Sequence, residues 1–100
     1  MKTVSIVFEK DKTHHDLDNE LKKVYAEKEQ VVLHFDLRKM RITSLFSLLK
    51  YKPIFEKYRP QTKEYLHHSV IFVHNKAIKT VIMSFLKVLK PEKPTNVLCD

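Results

Sequence analysis

Six histidines give this chain its widest chemical reach, since neutral imidazole ligates metals and titrates near neutrality. Four of them stand as adjacent pairs, His14-His15 and His67-His68. Adjacent side chains diverge on a helix or a strand, so neither pair chelates as a unit and no metal site is expected. His34 shares strand parity with Val32 and Asp36, which reads as a hydrogen-bonded histidine of the core. Asp36, Ser44 and His74 could meet where parallel strands end, the usual ligand position of an open α/β sheet. Nucleophilic catalysis also needs a base and a group that orients it. These three residues are only loose parts, and no enzyme is expected.

The 100 residues contain no glycine. Phosphate-cradling loops, dinucleotide fingerprints and nucleophile elbows need glycine for close backbone approach or a strained turn. Those devices are excluded in standard form, and no cofactor is expected. A single cysteine, Cys99, excludes an internal disulfide and a cysteine-based zinc site. MKTVSIVFEK has no extended apolar leader, and no window approaches the length of a membrane span, so a soluble, cytoplasmic protein is expected.

The formal charge is +7, and its excess is local. Between Arg38 and Lys63 only Glu56 opposes a run of lysines and arginines. Arg38, Lys39, Arg41, Lys52, Lys57 and Arg59 are candidate anion-binding residues. Tyr51 and Tyr58 lie among them as stacking groups, so nucleic acid or an acidic phospholipid surface is one partner class.

The elements that would position these residues follow from periodicity. In residues 3–8, Val4, Ile6 and Phe8 alternate with Thr3 and Ser5, the pattern of a half-buried strand. Asp16 or Asp18 can cap a helix carrying Leu17, Leu21 and Val24 to about Lys28. Residues 31–35 form an apolar run suited to a central strand covered on both faces. Thr43 or Ser44 then caps a helix with Leu45, Leu48 and Leu49, which stops near Tyr51 or kinks at Pro53. Residues 58–68 read as a loop with a helical turn around Lys63 to Leu66, before a buried strand at 70–73. Asn75 is the best residue for a left-handed turn, ahead of a helix with Ile78, Val81, Ile82, Phe85 and Leu86. A strand at 96–99 closes the chain. The expected fold is a single α/β domain over 1–100, in β-α-β-α-β-α-β order. It holds a four-stranded, mainly parallel sheet covered by about three helices.

With VVLHFDL as the strand ending in Asp36-Leu37, RKMRI as the loop and TSL as the helix start, the chain resembles the STAS domain. That module is shared by anti-sigma factor antagonists and the tails of sulfate transporters. The resemblance implies a non-enzymatic regulatory or protein-interaction module that binds its partner through the loop and helix start after the second strand. Ser44 falls at the family's phospho-acceptor position and Thr43 at its acidic one. Asp36, Thr43 and Ser44 are therefore the partner-binding candidates. A phosphate on Ser44 would sit at a positive helix end near Arg38, Lys39 and Arg41, although Thr43 and Ser44 equally suit plain capping. Residues 58–91 also look like the later part of CRAL-TRIO domains, which bind lipid.

Overall fold

A computed structural model of the chain describes residues 1–9, 11–41 and 48–99. Strand β1 (Lys2–Val7) leads to helix α1 (His14–Ala26), strand β2 (Val31–Asp36), helices α2 (Lys52–Lys57) and α3 (Arg59–Tyr65), strand β3 (Leu66–Val73), helix α4 (Lys76–Leu89) and strand β4 (Thr95–Cys99). The α/β class and the parallel sheet are as expected. Among the described residues the helices number four rather than about three.

Local chemistry explains the differences. Helix α1 is capped by Thr13, not by Asp16 or Asp18: the Thr13 hydroxyl accepts from the Asp16 N–H while the Asp16 carboxylate accepts from the Thr13 N–H. That reciprocal pair satisfies two donors at the helix start. Pro53 and Pro60 each occupy the first turn of a helix, where a missing N–H costs nothing and the fixed φ fits. They begin α2, which carries Ile54 and Phe55, and α3. Asn75 has an extended backbone (φ −153°), and its side chain accepts from the Ile78 N–H, so it caps α4 instead of turning left. The left-handed positions fall on Lys28 (φ 53°) and Lys90 (φ 47°), residues that pay a steric cost glycine would avoid.

All strand pairs are parallel, in the order β1-β2-β3-β4. Each crossover therefore steps one strand in the same direction, and crossovers of one hand place every helix on one face. The packing agrees. A single apolar cluster holds Leu17, Leu21, Ile78 and Ile82 from the helices with Ile6, Leu33, Ile71 and Val73 from the strands. Val7, Val32, Val70, Phe72 and Leu98 all lie outside that cluster. They have the opposite parity and, by register, share the other face in the rows Thr3-Val32-His68, Ser5-His34-Val70-Asn96 and Val7-Asp36-Phe72-Leu98. Among the described residues, the central strands are thus covered by helices on one face, not two. Among the described residues, no helix is long and apolar enough to cross a membrane.

Candidate functional site

Strand β2 ends on Asp36, whose side chain belongs to the helix-free face. Its carboxylate accepts from the Arg38 backbone N–H at 3.0 Å, from Arg38 Nε at 3.0 Å and from Arg38 Nη2 at 2.9 Å. These bonds hold the Asp36 carboxyl below the usual carboxylate range. The Arg38 guanidinium also lies over the Phe72 ring, 5.7 Å from its centroid. Phe72 in turn meets His34 edge-on at 5.3 Å. His34 is half-buried on the open face, so it is a surface-side residue and not a core histidine.

The loop that follows is fixed from beneath. The Leu37 N–H donates to the Phe72 carbonyl at 2.9 Å, the Met40 N–H to the Leu37 carbonyl at 3.0 Å, and both side chains are buried. Lys39 Nζ donates to Glu9 at 2.9 Å, which raises the Lys39 pKa. Arg41 is exposed just beyond. The loop therefore presents Arg38, Lys39 and Arg41 from an anchored backbone, and the ion pairs of Arg38 and Lys39 leave those two side chains fewer rotations to lose on binding. Thr43 and Ser44, the helix start expected there, lie outside the described residues.

The remaining anion-binding candidates are placed elsewhere and are mostly paired. Lys57 donates to both carboxylate oxygens of Asp18 on α1 at 3.0 Å. Arg59 is held by Glu92, with Glu56 at 3.4 Å, and its hydrogen bond keeps the Glu92 carboxyl low. Lys52 is exposed at the start of α2. A basic run in sequence thus becomes separate ion pairs across three connections of the fold. The opposing acids, Glu9, Asp18 and Glu92, are distant in sequence, so charge counting along the chain could not find them.

Asp36, Ser44 and His74 do not form a described catalytic group: His74 is exposed after β3, and Ser44 falls outside the description. Among the described residues, no group of three or more His, Cys, Asp or Glu could hold a metal. A cavity of about 170 Å³ opens on the helix side between Phe35, Phe55, Phe85, Leu86 and Leu48, with Ser69 in its wall. Its lining is mainly apolar, with Thr62 and the ion-paired Arg59, Glu56 and Glu92 also in its wall.

The helix-free face was the feature least visible in the sequence. Val32, Val70 and Phe72 interrupt the alternation that would have marked it. The signal was in the edge strands, where Thr3, Ser5 and Asn96 are polar at the same parity. Comparison of the chain with protein-family models, with curated proteins and with solved structures finds no match.

Proposed function

We propose that the chain is a non-enzymatic protein-interaction module of STAS-like type, working in the cytoplasm. It engages its partner protein through the loop after β2 and the segment that continues it toward Thr43 and Ser44. The observation that carries this reading is the anchoring of loop 37–41. Asp36 fixes both the backbone and the guanidinium of Arg38, while buried Leu37 and Met40 hold the loop down. Arginine on a preorganised base beside an aromatic ring is a frequent anchor in protein interfaces.

The alternative, a surface for nucleic acid or acidic phospholipid, has less support, because Arg38, Lys39, Lys57 and Arg59 each already face a carboxylate. The test is affinity capture from cell extract with the wild type and with an Arg38→Glu, Arg41→Glu variant. Loss of a specific partner from the variant supports the reading. The same captured proteins from both would overturn it.

A further inference from the structure

We infer that the helix-free face of the sheet is the contact surface for a second copy of this chain, a two-fold sheet-on-sheet dimer. Parallel sheets are ordinarily covered on both faces, and here the second face carries Val7, Val32, Val70, Phe72 and Leu98, which among the described residues lie outside the apolar cluster that holds the helices. Val7 is 37% exposed and Leu98 50%. Between the apolar groups stand Thr3, Ser5, His34, His68 and Asn96, which can exchange hydrogen bonds across an interface.

Charge selects the occupant. The chain carries +7, so two copies repel over most of their surfaces. Among the described residues, the charged side chains on this face are Asp36 and the Arg38 folded back onto it, which are of opposite sign and paired. The patch can therefore lie against itself without opposing like charges, while neither an acidic nor a basic partner gains Coulomb attraction there. Size fits as well. Four strands at about 4.8 Å spacing, each some five residues long, give a face of roughly 19 by 18 Å. With side-chain relief this is on the order of 600 Å² per copy, so a pair buries about 1,200 Å², the lower end for specific interfaces. Two such sheets stack about 10 Å apart. The dimer should accordingly be reversible, with Kd in the micromolar range. This inference shares the Asp36–Arg38 pair with the loop assigned above but not its partner, and Leu98 and Ser5 lie outside that loop.

Sedimentation equilibrium on the full chain, from about 5 to about 500 μM, tests it. The expected result is a monomer–dimer equilibrium in which Leu98→Glu and Ser5→Arg each weaken association at least about tenfold. Both positions are exposed in one copy, so their circular dichroism and melting should match wild type. Val88→Glu, on the exposed side of α4 where Val88 is 64% exposed, should leave association unchanged. A wild type that stays monomeric throughout would overturn the inference and leave the face for a different protein. So would a dimer that survives both face variants, or one lost through Val88→Glu.

Discussion

The Tyr58 hydroxyl donates to Asp18, meeting both its carboxylate and, at 3.2 Å, its backbone carbonyl. Tyr58 stands between α2 and α3 and Asp18 in α1, so one side chain ties two elements that are 40 residues apart. Lys57 adds a second donor to the same carboxylate. The Tyr25 hydroxyl, paired with Thr62 at 2.9 Å, ties α1 to α3 a second time.

Tyr58→Phe should therefore destabilise the fold by about 1–2 kcal/mol, the range for a hydrogen bond to a charged group in a partly exposed setting. Asp18→Asn, which weakens the acceptor of the same bond, should destabilise the fold as well. Because both remove one interaction, the double variant should lose less than the two single losses combined. Urea unfolding of the three proteins checks this, and strictly additive losses would refute the pairing.

Stability should fall at both ends of the pH scale. Asp16, Asp18, Asp36 and Glu92 are all held low, chiefly by the Thr13 backbone N–H, the Tyr58 hydroxyl, Arg38 and Arg59 respectively. A carboxyl with a lowered folded pKa stabilises above its unfolded value, near 4, and loses that contribution as pH falls toward the folded value. Tyr58 has the opposite sign: burial and the Asp18 carboxylate push it up to about 12. Its contribution is complete below about pH 10 and disappears as pH rises toward 12. Thermal melts from about pH 3 to pH 11 should show a plateau between about 5 and 9. Tyr58→Phe should flatten the alkaline limb specifically.

Asp36→Ala removes the acceptor of three Arg38 hydrogen bonds. The expected outcome is a loss of about 1–2 kcal/mol in global stability together with faster amide hydrogen exchange at Arg38 and Lys39. The helices should keep wild-type protection. Unchanged exchange in the loop would show that Leu37 and Met40 alone position it.

Lys90 offers a test in the stabilising direction. It closes α4 in the left-handed region with φ 47° and ψ 70°, its N–H donating to Leu86. Lys90→Gly should raise stability by about 0.5–1 kcal/mol, the relief of the Cβ clash outweighing the extra freedom of the unfolded chain. Lys90→Ala, which keeps the Cβ, should not.

What was legible in the sequence was periodicity. Ile6, Leu33, Ile71 and Ile82 entered the core on their spacing alone, and the strand-helix alternation fixed a parallel sheet. Two kinds of information were hidden. Pro53 and Pro60 are compatible with either end of a helix, and only the chain's path shows that they start one. Val32 is as apolar as Leu33, yet the two point to opposite faces, one under the helices and one not. The candidate site was legible at Asp36, where the strand ends. Its Arg38 clamp was not, because a two-residue turn back onto a carboxylate leaves no pattern in composition.

The sequential strand order also governs how this chain can assemble itself. Every strand pairs only with its neighbours in sequence, so no step requires the first strand to find the last. They end at opposite edges of the sheet, about 14 Å apart. Each new strand emerging during synthesis meets an edge already in place, so the domain can grow one strand-helix step at a time from its amino end.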